Sequence, residues 1–128
     1  MRESIEQWLA AFRLHDGLHA HVADVLCALP DLVRDDLMDD PCFAMSDYEP
    51  GPGMVVHVPM GRPGRRGAPS RSVVLKRTLL GRPEAFVRYV IAHELAHAHL
   101  RNRGRFADED PEVAADALAD GWGFPKPR

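Results

Sequence analysis

Cysteine is scarce in this chain, with Cys27 and Cys42 the two occurrences in 128 residues. That is far below the density of a secreted disulfide scaffold, and the pair is spaced too widely for a CxxC motif. Long hydrophobic runs are also missing. The stretch around Val90–Ala92 falls far short of the roughly 20 apolar residues that span a bilayer. Met1–Glu6 carries acids and lacks the apolar stretch of a secretory signal. These shortages set the expectation of a reduced, cytoplasmic, soluble protein without membrane contact. What is present is ordinary: 45% hydrophobic and 27% charged residues, which excludes wholesale disorder and a fibrous repeat. The length suits one domain over residues 1–128 with one core.

Charge is unevenly spread beneath the net value of −3. Residues 1–60 hold three basic and eleven acidic side chains, whereas residues 61–82 hold seven basic side chains and no acid. A basic segment in an acidic chain either pairs with the protein's own acids or meets nucleic acid or an acidic partner. The internal or solvated role is the simpler expectation.

Periodicity divides the chain into helices, then strands, then helices. Ser4 with Gln7 resembles a capping box, and Ile5, Trp8, Leu9 and Phe12 recur at helical spacing. Leu18, Val22, Val25, Leu26 and Leu29 continue that spacing up to Pro30, with Gly17 a candidate break. Asp31–Asp39 reads as a short acidic helix stopped by Pro41. Extended segments are expected at 42–48, 54–60 and 71–75, with a Gly/Pro/Arg-rich loop over 61–70. Pro83-Glu84 opens a helix that runs to about Arg103, and Asp110-Pro111-Glu112 opens a last one through Asp120. Trp122 and Phe124 in the tail offer two aromatics for packing. The expected class is α+β: N-terminal helices, a small three-stranded sheet, then two helices.

Residues 93–97 read His-Glu-Leu-Ala-His, an HExxH pattern inside the first of those two helices. At about 100° per residue, His93 and His97 share one face and reach one ion. Glu94 flanks that face, where it can act as general base on water activated by zinc. Phe86, Val90 and Leu100 lie within about 60° of the histidines and would bed the site against the core. Arg88, His99 and Arg103 fall on the opposite side, so His99 is expected at the surface. Without a metal, two core histidines and a glutamate would leave several polar groups to satisfy.

The third ligand must be an acid or lie upstream, because no histidine follows position 99. The extended HExxHxxGxxH pattern is excluded by Leu100 and Arg103. Glu112, Asp116 and Asp120 recur at i, i+4 on the last helix. Glu112 has the longer reach and is the expected ligand. Asp116, one turn on, is placed to accept a hydrogen bond from the distal nitrogen of a ligand histidine. Asp120 reads as solvated.

HELAH followed some fifteen residues later by Glu112-Val-Ala-Ala-Asp116 resembles the gluzincin arrangement of zinc peptidases. The short separation and the preceding strand are more similar to minimal zincin domains, including the ImmA/IrrE-type peptidases. The resemblance covers roughly residues 71–124. It implies a zincin-like fold with Zn²⁺ held by His93, His97 and the glutamate of ExxxD, whose aspartate supports a histidine. It also implies a peptide or protein substrate, held by pairing with an edge strand for which Val73–Leu75 is the candidate. No helix-turn-helix or sensor domain is visible, so the repressor-cleaving role of some relatives is not implied.

Other features carry less. His15, His19 and His21 lack a completing ligand beyond Asp16 or Asp24 and read as a solvated helix face. His57 falls in a strand, where an oxyanion role competes with an ordinary one. Tyr89, one turn before His93, is placed to back the site. A cysteine switch would have Cys42 or Cys27 cap the zinc as a thiolate. The leading expectation is a zinc metalloprotease with Glu94 as base. The alternative is a catalytically silent zinc-binding module that contacts nucleic acid or an acidic protein through residues 61–82.

Overall fold

Helix α1 (Arg2–Leu9) starts the chain, and its buried side chains Ile5 and Leu9 are four apart on one face. The structure, a computed structural model, describes residues 1–48, 71–102 and 111–127. Helix α2 (Asp16–Ala28) follows, then α3 (Asp31–Met38), strand β1 (Phe43–Tyr48) and strand β2 (Arg71–Lys76). A 3₁₀ turn over Arg77–Gly81 leads into α4 (Glu84–Asn102), and α5 (Pro111–Gly121) comes last. The class is α+β, mostly helical among the described residues.

Ser4 lies inside α1 rather than at its cap, since the helix already begins after Met1 with no side-chain cap bond. The break falls just before Gly17: His15 caps α2, its Nδ1 accepting from the Gly17 N–H at 3.1 Å. A Cβ at Gly17 would come within 2.7 Å of a terminal methyl of Leu80, an exposed side chain that would have to shift. At the far end of α2 the orphan carbonyls find one partner, the buried Arg34. Its guanidinium donates to the carbonyls of Leu26 at 2.9 Å and Leu29 at 2.6 Å, and pairs with Asp31 at 2.8 Å.

Strands β1 and β2 pair in parallel, with Met45 opposite Val73 and Asp47 opposite Leu75. Val73 and Leu75 are buried while Val74 and Lys76 are not, the period-two alternation of a half-covered strand. The expected strand over 54–60, with His57 in it, and the loop over 61–70 lie outside the described residues.

One hydrophobic cluster runs from Ile5 through Leu26, Leu37, Met45 and Leu75 to Ile91, Leu95 and Ala119. Helix α4 is central to it, packing against α2, α3, α5 and β2. At the end of α5 the chain turns through Gly123 at φ +97°, a backbone that favours glycine. Phe124 N–H returns to the Ala119 carbonyl at 2.9 Å, and Trp122 and Phe124 pack on the core as expected. No helix among the described residues is long and apolar enough to cross a membrane.

Candidate metal centre

His93 and His97 sit one turn apart on α4, so their rings project to the same side. The rings meet edge to face at 4.6 Å between centroids, with the two Nε2 atoms 3.0 Å apart. Glu112, in the first turn of α5, closes the triangle. One carboxylate oxygen lies 2.9 Å from His93 Nε2 and the other 3.0 Å from His97 Nε2. These three residues offer ligand atoms within 4.8 Å of one another, the group among the described residues that could hold a metal ion.

The donor set fits a zinc-sized ion on chemical grounds. Two facing imidazole nitrogens at 3.0 Å repel unless a proton or a cation lies between them. With Zn–N bonds of 2.0–2.1 Å, a tetrahedron sets two nitrogens about 3.3–3.4 Å apart, close to the observed spacing. Two histidines and a carboxylate also match a three-ligand site with one position open.

His93 is held from behind. Its Nδ1 lies 2.7 Å from Asp116 Oδ1, and the Tyr89 hydroxyl donates to the same oxygen at 2.6 Å. The Tyr89 and His93 hydrogen bonds hold the Asp116 carboxyl below its ordinary range despite the opposing effect of burial. An ionised Asp116 therefore accepts from Nδ1–H, which leaves the Nε2 lone pair aimed at the cluster. Burial, reinforced by the hydrogen bond and charge of Asp116, pushes the Tyr89 hydroxyl up to about 12. Tyr89 is thus a neutral donor throughout the physiological range.

Glu94 is absent from that ligand group. It is half-buried and faces a groove of about 370 Å³ that it shares with Phe86 and Val90 of α4 and with Val74 of β2. Phe86 and Val90 pack on the core from the groove side, while Leu100 is 7% exposed. Asp120 is exposed, as expected.

His99 overturns its expectation. It is only 9% exposed, with Nδ1 2.7 Å from Asp36 Oδ2 of α3. Helical spacing points His99 away from the His93–His97 face, but α3 covers that side of α4. Arg88 is not freely solvated either, since it pairs with Asp24 at 2.7 Å and Glu84 at 3.0 Å. Arg103 lies outside the described residues.

His15, His19 and His21 gather no third ligand among the described residues. Cys27 is half-buried and Cys42 buried, both free thiols outside the cluster. Neither the Asp36–His99 pair nor the placement of Lys76 and Arg82 on the groove is visible in the sequence pattern. An acidic residue in a helix sharply stopped by Pro41 gives little hint of a buried partner 63 positions on. No known family model matches this chain, and no curated protein or solved structure does either.

Proposed function

We propose that the protein is a zinc-dependent metallopeptidase of zincin-like, gluzincin type, with Zn²⁺ held by His93, His97 and Glu112. The observation that carries this reading is the convergence of three donors on one point, with Glu94, the residue after His93 in α4, lining an adjoining stretch of groove wall together with Phe86 and Val90. A bound Zn²⁺ supplies a Lewis acid that polarises a scissile carbonyl and makes water acidic enough to attack near neutral pH. Glu94 accepts the proton of the attacking water and returns it to the leaving amine. Asp116 fixes the His93 tautomer, and Tyr89 fixes Asp116. Strand β2 borders the groove and offers backbone groups to an extended peptide.

A purely structural zinc would have no use for Glu94, which is why the enzyme reading leads over a silent module binding nucleic acid or an acidic protein. The test combines metal analysis with cleavage of a broad peptide library. Wild type should hold about one zinc per chain, and Glu94→Gln should keep it while hydrolysis falls by at least about 10²-fold. Zinc retained by a His93→Ala/His97→Ala double variant would end the metal reading. Equal cleavage by Glu94→Gln would end the mechanism. Zinc without cleavage, together with nucleic-acid binding that falls steeply with salt, would favour the silent module.

A further inference from the structure

The groove beside Glu94 has a polarity of its own. Its walls are apolar, formed by Val74 of β2, Leu79 of the 3₁₀ turn, and Phe86 and Val90 of α4. Two cations also line it, Lys76 and Arg82, both exposed. Neighbouring cations are neutralised within the chain: Arg77 by Asp47 at 3.1 Å, and Arg88 by Asp24 and Glu84. Lys76 and Arg82 have no acidic partner among the described residues. The Arg82 guanidinium instead lies 4.5 Å over the Phe86 ring, a contact that holds the charge above the apolar wall.

We propose that this groove selects the peptide substrate, taking a segment that places a large apolar side chain between Val74, Phe86 and Val90 and an adjacent acidic side chain against Lys76 and Arg82. The inference rests on the peptidase reading. At about 370 Å³ the space lies near the low end of the roughly 300–1,000 Å³ of small-molecule pockets. That is room for one side chain and its flanking backbone. Glu94 follows His93 directly in the helix, so a peptide seated in the groove passes the proposed catalytic base. Glu94 is also the one acid lining the groove among the described residues, and its proposed role is proton transfer. Among the described residues, no other acid lines the groove to complement the two cations, and that charge is assigned to the substrate. Among the described residues, an apolar wall with two cations does not make the extended basic track that follows a phosphate backbone.

Binding can be read apart from turnover. Zinc-loaded full-length Glu94→Gln would be titrated, at low salt, with fluorescein-labelled hexapeptides that carry a central Leu followed by Glu, Gln or Lys, or a central Ala followed by Glu. The Leu-Glu peptide should bind at least about tenfold more tightly than Leu-Lys, with Leu-Gln between them. It should also bind at least about tenfold more tightly than Ala-Glu, through lost apolar burial. Adding Lys76→Glu and Arg82→Glu should reverse the Glu-over-Lys order, and the milder Lys76→Gln/Arg82→Gln pair should flatten it. Equal affinity for the Leu-Glu and Leu-Lys peptides, indifference to Leu→Ala, or an order untouched by the charge changes would overturn the proposal. So would displacement of the peptide by a short single-stranded oligonucleotide that binds more tightly. The wild type would be assayed for cleavage of the same peptides. Cleavage without the order removes the subsite and spares the peptidase reading, whereas the order without cleavage removes the peptidase reading and spares the groove's selectivity.

Discussion

Tyr89 and Asp116, from two different helices, share a 2.6 Å hydrogen bond on the same carboxylate oxygen that faces His93 Nδ1. The aspartate thereby holds two donors at one oxygen and couples α4 to α5 behind the His93–His97–Glu112 cluster. A single hydroxyl thus helps to set the direction in which an imidazole presents its other nitrogen. Tyr89→Phe removes the hydroxyl and keeps the ring. Asp116→Asn, which loses the charge on which both donors converge, should weaken zinc by roughly 10–100-fold, as expected when the group supporting a ligand histidine is lost. Tyr89→Phe should weaken it less. Chelator competition on the two purified variants measures both, and a Tyr89→Phe loss equal to that of Asp116→Asn would mean the tyrosine does more than orient the aspartate.

Metal removal is the second prediction. An ion bound to the folded state alone stabilises it by RT ln(1 + [L]/Kd), so chelation should lower the melting temperature in proportion to affinity. Glu112→Ala should show a much smaller chelator-induced drop than wild type, because its binding is already weak. The Asp120→Asn variant, changed at an exposed position on the same helix, should match wild type. A normal chelator response from Glu112→Ala would remove that residue from the ligand set.

Much of this arrangement was legible in the sequence because helical spacing is rigid. Four residues make one turn, so His93 and His97 had to share a face, and Glu112 and Asp116 had to follow one another along theirs. The HExxH helix, the last helix and the acidic turn were found for the same reason, with bounds that differ by only a residue or two. Contacts between elements were less legible. Whether His99 meets water or Asp36 depends on where α3 packs, and the periodicity of α4 does not encode that. The expected cap at Ser4 is not formed, because α1 already begins after Met1 and encloses Ser4, with no side-chain cap bond. Lys76 and Arg82 read as part of one basic run, and only the fold separates them from Arg77, which Asp47 neutralises.

The third prediction follows from the corrected residue. His99 and Asp36 are both largely buried, their side chains 11% and 14% exposed. Asp36→Ala strips His99 of that partner within the α3–α4 contact. Leaving a buried polar group unsatisfied costs about 1–3 kcal/mol. Urea unfolding should report a loss in that range, while zinc stoichiometry stays at the wild-type value. A variant of unchanged stability would show that the pair is incidental to α3 packing.

Arg34 supports the fourth. It is 7% exposed and serves the carbonyls of Leu26, Cys27 and Leu29 at the end of α2. Arg34→Met keeps most of the apolar stem but removes the guanidinium that donates to the Cys27 and Leu29 carbonyls, while Leu26 keeps the Leu29 N–H at 3.3 Å. A loss of about 2–3 kcal/mol is expected, read as a lower urea midpoint with an unchanged slope. Arg34→Lys should recover only part of it, because one ammonium does not reproduce the planar fork. Full recovery by lysine would mean that charge alone matters there.

The last prediction concerns acid. Asp24 of α2 receives Arg2 of α1 at 2.5 Å and Arg88 of α4 at 2.7 Å. The Arg2 hydrogen bond, aided by the charge of both guanidiniums and opposed by burial, holds its carboxyl below the ordinary range. A carboxyl whose pKa is lower in the folded than in the unfolded chain stabilises the fold above the unfolded value, about 3.9. That contribution is lost as pH falls through the depressed folded value. Asp24→Asn should therefore be less stable than wild type by a constant margin above about pH 5. The gap attributable to ionisation should close as the pH is taken below about 4. Because the three side chains are between 31% and 46% exposed, the margin should be modest and should shrink as salt is added. Urea midpoints for the two proteins from pH 2.5 to 7, at low and high salt, test the sign. A margin that widens toward low pH would show that the carboxylate is not held ionised by its two arginines.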